Sequence, residues 1–291
     1  MQWSSALETK AFRVFDGAMG SELIKRGLKA GGPVNAGYSE LVQDVHKSYL
    51  EAGAHVILTN TLTANPIYYS QHYNSASWQE ENLYGAELAL ETCGTRATVL
   101  GDMGPTGQML PPFGTFSEEQ FVEAYAQQAA ILAKAGVHGF LVETMMDAQE
   151  AVCAVQGIRS VSQLPVVASL AFATTAKGCR TMMGHTAKQA VEALEESGVQ
   201  GIGANCGDLT PIEMAYLVAT LDELTDLPIL VQPNAGRPHI QGEHTRYSMG
   251  PRDFAEGVME CVQQGAVFVG GCCGTTPEHI RTVSALLGRR G

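Results

Sequence analysis

The sequence predicts a single-domain (β/α)8 barrel of the TIM type over residues 1–291, and three observations predict it. Short apolar runs rich in Val, Ile and Leu recur eight times. Each is followed by turn residues and then by a longer segment with helical spacing. The units average about 36 residues, the size of one βα unit of such a barrel. Continuous apolar strands alternating with amphipathic helices imply a parallel sheet covered by helices. A doubly wound open sheet is the alternative architecture.

In chain order, strands are expected at Arg13–Phe15, His55–Thr59, Thr98–Gly101, Gly139–Val142, Val166–Leu170, Gly201–Ala204, Ile229–Val231 and Val267–Val269. The helices between them are expected at Ser39–Ala52, Trp78–Thr92, Glu118–Ala135, Ala148–Val161, Ala187–Ser197, Pro211–Leu224, Arg252–Gln264 and Pro277–Leu287. Start signals include Ser117-Glu118-Glu119 and Thr276-Pro277-Glu278, in which a hydroxyl caps orphan amides and an acid or proline occupies the first turn. Stop signals are the pairs Ala52-Gly53, Ala135-Gly136, Ser197-Gly198 and Gln264-Gly265. The least regular stretches are Lys29–Gly37 and Gly236–Gly250; both follow expected strands, where barrel loops build active sites, although variable surface loops read the same way.

Composition excludes several classes. Hydrophobic residues make up 45% and charged residues 16%, enough to bury a large core. With 18 basic against 30 acidic residues the formal charge is −12, which offers no broad basic face for a phosphate backbone, so nucleic acid is not an expected partner. No window approaches 18 consecutive apolar residues, and a membrane span is not expected. Glu8, Lys10 and Arg13 stand where a secretory signal needs an apolar run. With seven cysteines, an odd number, the expectation is a cytoplasmic protein whose thiols stay reduced.

Barrel chemistry collects at the C-terminal ends of the strands. The residues expected there are Asp16, Asn60, Asp102, Glu143, Asn205-Cys206, Gln232-Pro233-Asn234 and Cys272-Cys273. Cys206, Cys272 and Cys273 end the sixth and eighth strands, two positions apart around a closed barrel, and can converge over one rim. Three thiolates without a fourth protein ligand match a zinc site with one open position. Spacing alone leaves this reading beside two others, small buried hydrophobes and a vicinal disulfide. Cys93, Cys153 and Cys261, assigned to helices, and Cys179, assigned to a loop, read as packing residues. Zinc held by three thiolates is a poor Lewis acid for carbonyls but a good holder of a fourth thiolate, which it lets ionise at neutral pH while leaving it nucleophilic. The chemistry implied is alkylation of a thiol.

These residues resemble the homocysteine S-methyltransferase family, including the homocysteine-binding barrel of cobalamin-dependent methionine synthase. The resemblance runs through Asp16-Gly17-Ala18-Met19-Gly20, His46 with Ala52-Gly53-Ala54, Thr59-Asn60-Thr61, Gly101-Asp102-Met103-Gly104-Pro105, Glu143-Thr144, Asn205-Cys206 and Gln232-Pro233-Asn234-Ala235-Gly236. It ends on Gly270-Gly271-Cys272-Cys273-Gly274-Thr275-Thr276-Pro277-Glu278-His279-Ile280, the most specific of these motifs. It implies zinc-dependent methyl transfer to homocysteine, giving methionine, with Cys206, Cys272 and Cys273 as ligands. It further implies that Glu143 receives the substrate ammonium, that the amides of Gly17, Ala18 and Met19 take its carboxylate, and that Asp16 helps hold that loop or the ammonium. Asn205 and Asn234 are candidate pocket residues, Asn234 ahead of Asn60 and Asp102. Leu62 departs from the family's aromatic residue after Thr-Asn-Thr, which touches pocket shape rather than catalysis.

Gly274 after the cysteine pair argues against S-methylmethionine as donor, and the chain's end after its eighth helix argues against betaine. Asp44-Val45-His46 lacks the glycine of a cobalamin signature, Tyr49 standing in its place. The expected donor is a methylcorrinoid, free or on a separate protein, or a methyltetrahydrofolate derivative, with an S-methylmethionine- or betaine-dependent enzyme as the alternative. Three other classes remain open: a phosphate-binding barrel using the glycine-rich ends of strands seven and eight, a metal hydrolase using His239 and His244, and a non-catalytic thiol or zinc carrier.

Overall fold

In the computed structural model, residues 3–28, 33–73, 77–176, 178–241 and 244–288 are described. Of the two irregular stretches, residues 29–32 and 242–243 therefore lie outside the described residues. Eight parallel strands form one sheet: β1 (Arg13–Val14), β2 (Val56–Leu58), β3 (Thr98–Met103), β4 (Phe140–Met145), β5 (Val166–Leu170), β6 (Gly201–Asn205), β7 (Ile229–Gln232) and β8 (Ala266–Val269). Their order is β1-β8-β7-β6-β5-β4-β3-β2, and a parallel bridge from Phe15 to Val56 joins the two ends. The sheet thus curls into the predicted barrel, and the open-sheet alternative falls.

The helices Ser39–Glu51, Trp78–Cys93, Glu118–Ala135, Ala148–Val161, Ala187–Glu196, Pro211–Asp222, Pro251–Gln263 and Pro277–Gly288 cover the outside, each within two residues of its expected bounds. Local chemistry explains their starts. Ser117 with Gln120, Thr186 with Gln189 and Thr210 with Glu213 form reciprocal capping boxes. No helix is long and apolar enough to cross a membrane.

Strand alternation then divides the core in two. One set of side chains packs between sheet and helices, as Val14, Ile57, Val99, Phe140 and Val142 do. The other fills the barrel: Phe15, Leu58, Leu100, Leu141, Leu230 and Phe268 make an apolar plug. A short helix, Trp3–Glu8, closes the N-terminal end by inserting Trp3 against Phe268 (ring centroids 5.1 Å apart) and Phe15 (6.0 Å).

The structure corrects the expected elements in four ways. Asp102, Glu143, Asn205 and Gln232 lie inside their strands rather than after them, because β3, β4, β6 and β7 run one to three residues further than the apolar runs. Two hairpins, Phe172–Thr175 with Gly178–Thr181 and His239–Gln241 with His244–Arg246, rise from the loops after β5 and β7. Cys179 consequently sits in a strand, not a loop. Three short helices, Trp3–Glu8, Met19–Lys25 and Pro66–His72, were not expected.

Candidate functional site

Period-two alternation lifts a polar layer directly above the plug. Leu100 points inward, so Asp102 does too; Leu141 sets Glu143, and Leu230 sets Gln232. Asp102, Glu143 and Gln232 line one cavity of about 270 Å³ with Asp16, Cys272 and Cys273. Cys206 joins them from the end of β6. The Sγ atoms of Cys206, Cys272 and Cys273 lie within 4.8 Å of one another, with 4.0 Å between Cys206 and Cys273.

Backbone hydrogen bonds hold both cysteine loops to the end of β7. The Cys206 amide donates to the Gln232 carbonyl (3.2 Å) and the Cys272 amide to that of Pro233 (2.9 Å), while the Ala235 amide donates to the Cys273 carbonyl (3.0 Å). Cys206 adopts a left-handed backbone, φ 55°, unusual for a side chain with a Cβ. Gly274, φ 79°, lets the chain turn away after the pair; a Cβ there would fall 2.3 Å from that of Tyr247. The three sulfurs share protons: hydrogen bonds from Cys206 and Cys272 hold the Cys273 thiol well below its ordinary range, and bonding to Cys206 and Cys273 plus burial pushes Cys272 well above. Tyr247 also bonds Cys273, from within the irregular loop where no sequence signal marked it.

Beside the sulfurs lie three buried carboxyls. Burial pushes Glu143 up to about 8, with the Cys273 charge adding to it. Asp102 is raised by burial and then by Glu143 and Asp16; Asp16 is raised by burial, against the Leu58 amide that donates to its Oδ2 (3.0 Å). Oδ1 of Asp16 and Oδ1 of Asp102 are buried with no partner. Unpaired buried acceptors cost about 1–3 kcal/mol each, so the cavity is built for donors that arrive from outside.

Asn205 organises the wall between carboxyl and sulfur. Its Nδ2 donates to Glu143 Oε2 (3.0 Å) and Thr144 Oγ1 (2.7 Å) and lies 3.8 Å from Cys272 Sγ; its Oδ1 accepts from the Thr144 amide and Ser169 Oγ, both at 2.8 Å. These bonds hold Thr144 at φ 60°, a strained value for a β-branched residue. Asn234 is buried elsewhere, donating to the Gly207 carbonyl (2.9 Å) outside the cavity lining. Gly17, Ala18 and Met19 line the cavity, but the Ala18 amide is already committed to Thr275 Oγ1 (3.1 Å). A Cβ on Gly17 would meet that same oxygen at 2.7 Å, so glycine is needed for the loop to pack there.

Two alternative classes lose support. The glycine amides of the eighth strand end are spent on protein acceptors, Gly270 on Val231, Gly271 on Asp16 and Gly274 on Ser21, so these three are not free to cradle a phosphate. His239 is an exposed hairpin residue, and the His244 side chain lies outside the described residues. Cys93, Cys153 and Cys261 are buried, and burial pushes each thiol up to about 12.

A family model described as homocysteine S-methyltransferase matches residues 13–287. Methionine synthase of Mycobacterium leprae (strain TN) is 32% identical over 306 residues, covering 97% of this chain and 25% of that protein. Methionine synthase of Mycobacterium tuberculosis (strain ATCC 25618 / H37Rv) is 31% identical, covering 94% and 24%. The chain thus spans about a quarter of the length of these curated relatives. Among solved structures, the homocysteine methyltransferase MmuM from Escherichia coli superposes in its metallated form with a TM-score of 0.78 at 23% identity, over 96% of this chain and 97% of that one. Its oxidized form gives 0.79 at 24% identity, over 97% and 98%.

Proposed function

The chain belongs to the homocysteine S-methyltransferase family, and from that premise we propose that it transfers a methyl group to the sulfur of homocysteine, forming methionine, with zinc held by Cys206, Cys272 and Cys273. The observation that carries this reading is the convergence of three thiols beside a cavity of unpaired carboxylate oxygens. The donor set fits the ion: tetrahedral thiolate ligands about 2.3 Å from zinc stand about 3.8 Å apart, close to the 4.0 Å between Cys206 and Cys273. No fourth His, Cys, Asp or Glu joins the cluster among the described residues, which suits a site completed by a substrate sulfur. When bound, zinc would supply the positive charge that lets this thiol ionise near neutral pH.

The chain's own residues hold the amino-acid end. Asp16, Asp102 and Glu143 present carboxyl oxygens to an incoming ammonium, whose three donors answer the buried acceptors that lack partners. The Gly17 and Met19 amides, not the committed Ala18 amide, receive the carboxylate. Asn205 keeps Glu143 in place. With both ends fixed, the sulfur faces an approaching methyl group in one orientation.

The donor we propose is a methylcorrinoid, free or on a separate protein, or a methyltetrahydrofolate derivative, a reading supported by Gly274 after the cysteine pair. The seven cysteines, all free, support a reducing, cytoplasmic setting. The test incubates zinc-loaded protein and homocysteine separately with methylcobalamin, a methyltetrahydrofolate, S-methylmethionine and betaine, and measures methionine. Methionine from one donor, with about one zinc per chain and loss of both in Cys272→Ser, is the expected result. A metal-free protein of full activity sinks the thiolate reading, and methionine from none of the four sinks the proposed reaction.

A further inference from the structure

The end of the barrel opposite the cysteines carries a second cavity, about 720 Å³, whose lining is chemically one-sided. The alternation that lifts Asp102 two residues above the plug drops Thr98 two below Leu100, and Arg13 two below Phe15. Arg96, His55 and His138 join them from the turns that enter β3, β2 and β4. No carboxylate lines this cleft, although the chain carries 30 acidic residues and a charge of −12.

The two arginines have no acidic partner, a condition they share with Arg159, Arg180 and Arg246 among the described residues. Arg26, Arg237, Arg252 and Arg281 each pair with a glutamate. Arg13 and Arg96 form no ion pair among the described residues; their guanidinium groups bond only the carbonyls of Phe12 and Thr92. Each leaves most of its five donors unused.

The two histidines have fixed tautomers. The Val14 amide donates to His55 Nδ1 and the Val99 amide to His138 Nδ1, both at 3.0 Å. A ring nitrogen that accepts carries no hydrogen, so each neutral imidazole has its N–H at Nε2; the Val99 carbonyl also lies 3.3 Å from His138 Nδ1, but the shorter contact with the Val99 amide, whose hydrogen is fixed, makes that nitrogen the acceptor. This backbone role does not require histidine. At β5 Gln200 performs it, its Oε1 accepting from the Val166 amide at 2.8 Å, and Gln200 is not part of the cleft. Burial and then the Arg13 charge lower the His55 pKa, as a local excess of positive charge requires.

We propose that this cleft binds a small polyanion, its phosphoryl or carboxylate oxygens received by Arg13, Arg96 and the Nε2–H groups of His55 and His138. Two permanent cations and two oriented donors around one space complement several anionic oxygens on one molecule. The site is independent of the methyl-transfer reading and stands or falls without it.

The test is calorimetric titration of the intact protein with inorganic pyrophosphate and with citrate, against sodium chloride at matched ionic strength. Saturable one-to-one binding of either anion is expected, and which of them binds identifies the phosphoryl or the polycarboxylate class. Arg96→Ala is expected to weaken it about tenfold or more, and Arg96→Glu to abolish it. Arg96 is exposed and touches only a carbonyl, so both variants keep the fold, which circular dichroism checks. Binding no stronger than chloride's, or binding unchanged in Arg96→Glu, overturns the proposal.

Discussion

Asn205 shows how much one side chain settles. It bonds the carboxyl of Glu143, both polar groups of Thr144 and the hydroxyl of Ser169, and it adjoins Cys206 in sequence. Asn205→Ala is expected to lower kcat/KM for homocysteine about 10–100-fold, mainly through KM, because Glu143 loses its orientation while the sulfurs remain. Asn205→Asp, although isosteric, places a second carboxylate 3.0 Å from Glu143 and is expected to cost more. Steady-state kinetics over a homocysteine series decides both, and an Asn205→Asp enzyme as active as the wild type contradicts the assignment. His46 gives a residue-scale prediction about stability. It is wholly buried, neither ring nitrogen has a partner, and burial lowers its pKa to about 4. The unfolded chain protonates near 6.5 while the folded one resists, so this group leaves stability unchanged above pH 6.5 and erodes it as pH falls towards 4. The loss over that window is about 3 kcal/mol. Urea unfolding of His46→Leu at several pH values should show a flatter slope there; an unchanged slope rejects the account.

At the scale of elements, the short helix Trp3–Glu8 acts through one ring. Trp3→Ala removes an aromatic packed on Phe15 and Phe268 and is expected to destabilise by about 3–5 kcal/mol, with methyl transfer intact at low temperature because the ring lies at the far end of the barrel from the cysteines. Thermal unfolding checks this, and an unchanged Tm means that the helix does not stopper the barrel. The same helix shows why the sequence yields some elements and hides others. The eight strands and their covering helices announce themselves through recurring apolar runs, cap hydroxyls and terminal glycines. A six-residue helix is too short for periodicity, and its stability comes from a pocket made by residues distant in sequence. The hairpin strands after β5 and β7 are three or four residues long and largely polar, so no hydrophobic alternation marks them. The candidate site was legible to a different degree. Strand-end position and the Gly-Gly-Cys-Cys-Gly motif picked out the cysteines, Asp16 and Glu143. Asp102 deserved more weight, since Leu100 and Asp102 share a strand face two residues apart. Asn234 stands in a loop at the rim, where its amide turns to the Gly207 carbonyl, a tertiary contact that its Pro233 and Gly236 neighbours do not announce. Tyr247 reaches Cys273 only through the tertiary path of its loop.

The whole molecule separates its two ends by an apolar plug, so the acidic, sulfur-bearing mouth and the basic cleft share a barrel without sharing solvent or charge. The cysteine loops bond to the end of β7, a strand buried along its length. Removal of zinc by a chelator is therefore expected to leave far-UV circular dichroism unchanged and to lower Tm only by the mass-action contribution of a lost ligand. Readdition of one equivalent should restore activity without refolding, and cooperative unfolding on chelation contradicts this. The brace on β7 then bears on metal supply in the cell. Small zinc domains fold only with their ion and are lost as chains when it is scarce. With zinc held as proposed, a barrel that spaces its sulfurs through an intervening strand would survive scarcity as a standing stock of inactive protein, and zinc availability, rather than new synthesis, would set how many molecules are at work.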